Sequence, residues 1–225
     1  VGVSEAVDLA LRALTSPDDE VLIPDPSYVS YSPCAILAGG NPVPLNTYEK
    51  DEFRLTAAEL RSKITPKSKV LILTFPNNPT GAIMAKEDLE AIAKVVEEHN
   101  LVVISDEIYS ELTYDGQHFS FAALPGMWER TVTLNGFSKA FAMTGWRVGY
   151  AAAPKEIVNA MMKIHQFSML CAPIMAQKAA LEALSHGEEE MKKMVQSYNQ
   201  RRHLIVNGFR ELGLDCFEPK GAFYA

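Results

Sequence analysis

The sequence is short of several things, and each shortage excludes a class of function. Only three cysteines occur, Cys34, Cys171 and Cys216, far apart and without a C-x-x-C pair. An odd, scattered set is no disulfide framework, and it fits a reducing cytoplasm. No apolar run reaches the roughly 18 residues that a helical membrane span needs. Neither G-x-x-x-x-G-K-[ST] nor G-x-G-x-x-G is present, so the glycine-loop signals of nucleotide binding are missing, and so is the G-x-S-x-G elbow of hydrolases. The five histidines (99, 118, 165, 186 and 203) lack metal-ligand spacing, and no metal is expected. Positive charge is also in deficit: 21 Lys and Arg against 28 Asp and Glu give a net charge of −7. An acidic surface argues against nucleic acid or an anionic membrane as partner, yet leaves room for a small anion in a local basic pocket.

What is present is apolar patterning of two kinds. Of the 225 residues 48% are hydrophobic and 22% charged, enough for a sizeable core and for one large domain, or one domain and part of another. "SEAVDLALRALTS" has helical spacing with Ser4 as a candidate cap, and "TAAELRSKI" has Thr56 and Glu59 spaced as a capping box. "KEDLEAIAKVVEEHN" and three segments after Lys155 also read as helices. Between them lie short apolar strands, "DEVLIPDPSY", which stops at its two prolines, "NPVPL", "KVLILTF", "LVVIS" and "TVTLNG", with "RVGYAAA" as a further candidate. Strand alternating with helix predicts an α/β fold, a three-layer α/β/α domain on a mostly parallel sheet. The stretch 1–4 opens directly into a helix, and "GAFYA" at 221–225 reads as the middle of a strand. The expectation is a piece of a longer protein.

Four strands run into unusual polar residues: Asp25-Pro26-Ser27-Tyr28, Asn77-Asn78-Pro79-Thr80-Gly81, Asp106-Glu107-Ile108-Tyr109 and Phe137-Ser138-Lys139. In a parallel sheet, ligands bind beyond the carboxyl ends of the strands. If these strands are parallel neighbours, Tyr28, Asn78, Asp106, Tyr109 and Lys139 meet in one crevice. The chemistry suits a flat, anionic, electrophilic cofactor. Lys139 can form a Schiff base with an aldehyde, provided that apolar neighbours such as Phe137 and Phe141 desolvate it. Asp106 can keep a ring nitrogen protonated, as pyridoxal phosphate requires. Tyr109 and Asn78 can donate to a ring oxygen, and Tyr28 can stack. Arg147 can hold a phosphate, helped by the backbone amides of Val3 and Ser4 at a helix start. Taken singly each residue has a plainer reading: a surface lysine, a helix-capping aspartate, a turn, packed tyrosines, a surface ion pair. Their shared place at strand ends gives the functional reading its weight.

The motifs "PNNPTG" (76–81), "SDEIY" (105–109) and "GFSKAFAMTGWRVGY" (136–150) resemble those of pyridoxal-phosphate-dependent aminotransferases of the aspartate aminotransferase fold. Within that family the chain is similar to the bacterial and archaeal aspartate/aromatic and N-acetyl-diaminopimelate aminotransferase-like group. The resemblance implies fold type I and a cytoplasmic homodimer. It also implies an amino acid and a 2-oxo acid as substrates in two half-reactions. It makes Lys139 the catalytic Schiff-base lysine and Asp106 the ring-nitrogen partner. Tyr109 and Asn78 become the ring-oxygen donors, Tyr28 the stacking aromatic and Arg147 the phosphate clamp. Many relatives carry a phosphate-binding serine three residues before the lysine; here that position is Gly136, and Ser138 is the expected substitute. Residues 1–185 would form the cofactor-binding large domain and 186–225 the start of a second, smaller one. The arginine for the substrate carboxylate is expected outside this chain, which would leave the fragment poorly active. Two other classes share the site pattern: a β-lyase or decarboxylase on the same cofactor, and an effector-sensing domain of a transcription regulator.

Overall fold

A computed structural model describes residues 1–225. Six strands form one sheet: β1 (Glu20–Asp25), β2 (Asn41–Asn46), β3 (Ser68–Thr74), β4 (Val102–Asp106), β5 (Thr131–Gly136) and β6 (Gly149–Ala152). Their spatial order is β2-β1-β3-β4-β5-β6. The first five are mutually parallel, and β6 pairs antiparallel with β5 at one edge. The strand ends therefore share one edge of the sheet, with Thr74 beside Asp106 and Asp106 beside Leu134.

Successive side chains leave a strand on opposite faces, and the two apolar cores follow that alternation. Val21, Ile23, Val70, Ile72, Ile104 and Val132 join one core, which helix α1 (Val3–Leu14) covers through Val7, Ala10 and Leu11. Leu22, Leu71, Leu73 and Val103 face the other, covered by α3 (Ala57–Lys63) and α4 (Lys86–Glu98) through Leu60, Leu89, Ile92 and Val96. This is the expected three-layer α/β/α arrangement. The short α2 (Tyr31–Leu37) and α5 (Lys155–Ser168) flank α1, and α6 (Ile174–His186) and α7 (Glu188–Glu211) follow.

Three local expectations are corrected. Ser4 is no cap: α1 begins at Val3 with Gly2 in the cap position at φ 77°, so Ser4 lies inside the first turn. The capping box at Thr56 is half formed. The Thr56 hydroxyl accepts from the Glu59 amide at 3.1 Å, but the Glu59 carboxylate turns to the Asn46 amide at 2.9 Å. Residues 221–225 are not a strand. Gly221 makes one isolated bridge to Thr113, and the segment folds back over loops that follow β3 and β4. No helix is long and apolar enough to cross a membrane.

Candidate active site

Beyond the carboxyl ends of β1, β3, β4 and β5 lies a cavity of about 290 Å³, just below the usual size of small-ligand sites. All nine residues singled out from the sequence line it: Val3, Ser4, Tyr28, Asn78, Asp106, Tyr109, Ser138, Lys139 and Arg147. The structure adds Val7, Tyr31, Ile108, Thr144 and Tyr224.

Asp106 ends β4 on the α1 face and is 5% exposed. Its carboxylate accepts from the Tyr31 hydroxyl at 2.8 Å and the Ile108 amide at 3.2 Å. No cation bonds to it. Burial raises its pKa to about 6, against the pull of those two donors, with the Glu107 charge adding to the rise and Lys139 opposing it. Such a carboxylate, bordering a cavity, is a ready partner for a cationic ring nitrogen. Tyr31, fully buried at the start of α2, was not among the sequence candidates. Its spacing of three from Tyr28 was the available signal, and the two rings meet edge to face at 5.5 Å.

The Lys139 ammonium makes no hydrogen bond and no ion pair. It lies 5.7 Å from the centre of the Tyr109 ring and 5.2 Å from that of Phe223, within cation–π range. Phe137 and Phe141 do not supply its apolar surroundings as expected. They pack into a separate cluster with Met143, Val148 and Ala176. The Tyr109 hydroxyl shares a 2.8 Å hydrogen bond with that of Tyr224. Burial, and then this contact, hold the Tyr109 phenol well above its ordinary range.

Arg147 adopts a left-handed backbone, φ 51°, which costs a non-glycine residue roughly 1 kcal/mol or more. Its guanidinium donates to the Thr144 carbonyl at 2.7 Å and lies against Gly2. A Cβ on Gly2 would sit 2.8 Å from Nη2. The free amides at the start of α1, the guanidinium and the Ser138 hydroxyl thus line the cavity together, a set of donors suited to an anion, and a side chain at position 2 would press on the guanidinium. Gly136 and Gly149 are paired in β5 and β6. A Cβ at 136 would lie 3.0 Å from the Gly149 Cα, and one at 149 would lie 3.1 Å from the Val3 amide nitrogen. Bare glycines let α1 approach the sheet, so a serine at 136 would be crowded.

In the loop after β3, Asn77 and Asn78 divide the work. Asn77 is buried, and its side-chain oxygen accepts from the Thr80 amide at 3.2 Å and hydroxyl at 3.0 Å. That turn leaves Asn78 to line the cavity.

Relatives share this arrangement of sequence. A putative aminotransferase of Bacillus subtilis, YugH, is 52% identical over the whole chain, and an aspartate aminotransferase of Pyrococcus abyssi is 47% identical. The solved aromatic aminotransferase of Pyrococcus horikoshii superimposes with a TM-score of 0.96 at 47% identity, covering 98% of this chain and 60% of that one. The Thermus thermophilus aspartate aminotransferase with maleate gives 0.94 at 41%, covering 99% and 58%. The chain spans 58% of the length of the two curated relatives named here. The family model for aminotransferase class I and II matches residues 1–225, and the chain belongs to that family.

Proposed function

We infer that this chain carries the cofactor site of a pyridoxal-phosphate-dependent aminotransferase, which moves an amino group between an amino acid and a 2-oxo acid. The observation that carries the reading is an unpaired lysine and a buried, cation-free carboxylate lining one cavity with a set of donors suited to an anion. The residues fit the cofactor's three polar features. Asp106 would hold the ring nitrogen, Tyr109 and Asn78 the ring oxygen, and Arg147, Ser138 and the amides of Val3 and Ser4 the phosphate. Tyr28 would cover the ring. When bound, the cofactor supplies an aldehyde and an electron-withdrawing ring.

The chain's own residues then have defined tasks. The Lys139 Nζ would hold the aldehyde carbon and, once released by the incoming amine, would carry the proton taken from the substrate Cα to that former aldehyde carbon. Asp106 keeps the ring nitrogen protonated, and its buried position makes that pairing strong. Tyr109 and Asn78 steady the ring oxygen by donating to it. Arg147 fixes the far end of the ring so that Lys139 meets its target in a constant position. Relatives bearing aspartate and aromatic names are equally similar, at 47% and 46% identity, so the proposal is stated for the amino-acid/2-oxo-acid reaction as a class.

The same reading places the large domain at 1–185 and the start of a smaller domain at 186–225. A cytoplasmic homodimer is part of it; the exposed Phe167, Leu170 and Met175 on and between α5 and α6, at 92%, 77% and 72% exposure, support an interface there. The isolated 225 residues are expected to hold the cofactor and to turn over poorly. The test is the absorption spectrum of the purified chain with pyridoxal phosphate. A visible yellow band that borohydride traps on the protein is expected, and Lys139→Ala should abolish both. If Lys139→Ala leaves band and trapping unchanged, the central assignment fails.

A further inference from the structure

The Tyr109 hydroxyl has two claimants. In the reading above it donates to the ring oxygen of the cofactor; in the structure it already shares a 2.8 Å hydrogen bond with Tyr224. A phenol has one hydrogen to give and can still accept. Both assignments hold together only if Tyr224 is the donor and Tyr109 the acceptor, which leaves the Tyr109 hydrogen for the cavity.

The segment bearing Tyr224 is built to deliver it there. Arg202, buried on α7, donates to the Pro219 carbonyl at 2.7 Å and pairs with Asp115. The amides of Lys220 and Gly221 both donate to the Gly81 carbonyl at 2.9 Å, in the loop that presents Asn78. The Ala222 amide donates to the Leu112 carbonyl at 2.8 Å, three residues beyond Tyr109, and the Tyr114 hydroxyl donates to the Ala222 carbonyl. The approach is so close that a Cβ on Gly81 would meet Pro219 at 2.3 Å, and one on Gly221 would meet Pro76 at 2.6 Å. Residues 219–224 therefore form a strap fastened by backbone to the loops after β3 and β4. Phe223 stacks on Tyr198 of α7 at 5.5 Å and meets the Tyr109 ring edge to face at 5.4 Å, which fixes Phe223 against Lys139 and Tyr224 beside it at the cavity wall.

We propose that Tyr224 is a positioning residue that donates to the Tyr109 hydroxyl and so strengthens and aims Tyr109's own donation to the ring oxygen. The proposal rests on the cofactor reading above. Hydrogen bonds in a chain polarise one another, so a phenol that accepts one donates a better one. A hydrogen bond to the ring oxygen favours its anionic form. Weakening that bond therefore raises the pH at which the bound cofactor's visible band changes form.

The experiment is a spectrophotometric pH titration of that band in four proteins: wild type, Tyr109→Phe, Tyr224→Phe and the double variant. Near-ultraviolet circular dichroism checks that the rings stay packed. Tyr224→Phe keeps the ring and removes one hydroxyl. Its midpoint is expected to rise by about half a unit to one unit, as one net hydrogen bond allows. Tyr109→Phe should rise further, and the double variant should match Tyr109→Phe, because Tyr224 acts only through Tyr109. A midpoint in Tyr224→Phe that stays put or falls overturns the proposal, since Tyr109 would then be the donor. So does a Tyr224→Phe effect of full size in the Tyr109→Phe background. Absence of any Lys139-dependent band in the wild type is a different failure, one that removes the cofactor reading and this proposal with it.

Discussion

At the end of β4 two carboxylates one residue apart leave the sheet on opposite faces. Their burial is nearly equal, 5% for Asp106 and 6% for Glu107. Glu107 is fully engaged: it accepts from the hydroxyls of Ser105 at 3.0 Å and Ser120 at 2.8 Å, and from the His118 ring at 3.1 Å. Asp106 has one hydroxyl, one backbone amide and an open cavity. The shortage of partners around Asp106, and not its burial, distinguishes a group kept for a ligand from one that ties loops together.

Substitution separates the two faces. On the proposed reading Asp106→Asn lowers turnover of the intact enzyme by on the order of 10² to 10³-fold, the usual loss when a charge aimed at the reacting group is removed. Glu107→Gln changes it several-fold at most; steady-state kinetics with saturating cofactor compare them, and equal losses would erase the distinction. Stability of the cofactor-free protein should move the opposite way, by chemical denaturation at pH 7. Glu107→Gln turns one acceptor atom into a donor among three donors and costs about 1–3 kcal/mol. Asp106→Asn removes a poorly compensated buried charge and stabilises by a similar amount, roughly 1–3 kcal/mol.

The pH dependence sharpens the contrast further. Asp106's pKa is raised in the folded state from an ordinary 3.8 to about 6, so between those values the folded chain binds more protons than the unfolded one. Its contribution is fully present below 3.8 and is lost as pH rises through about 6. Asp106→Asn should flatten that part of a denaturation series run from pH 4 to 7. The smallest effect is expected from Tyr31→Phe. It takes one donor from the Asp106 carboxylate and shifts the same window upward by a fraction of a unit.

Much of this fold was legible because buried parallel strands read as unbroken apolar runs: "VLILT" lies in β3 and "VVIS" in β4. The site residues were legible for a related reason. Tyr28, Asn78, Asp106, Tyr109 and Lys139 each follow such a run, and the parallel neighbours β1, β3, β4 and β5 turn four sequence positions into one place. Tyr31 and Tyr224 were harder to read, because their partners lie 75 and 115 residues away; only the spacing of Tyr31 from Tyr28 marks the first, and nothing nearby in sequence marks the second. Residues 221–225 misled for the same reason: "GAFYA" has the look of a strand, while its backbone donors go to Gly81 and Leu112. Phe137 and Phe141 were near Lys139 in sequence but turned toward α6.

The cavity takes its walls from residue 3 to residue 224. Contacts so distant in sequence close long loops at an entropic cost before they add stability. A molecule that needs all of these walls has nothing to bind in a half-folded chain, so its affinity is reserved for the finished one. By linkage it adds about 2.7 kcal/mol to stability at a hundred times its dissociation constant. The coenzyme would thus serve as a seal on correct folding, set in place only after both ends of the described chain have met around it.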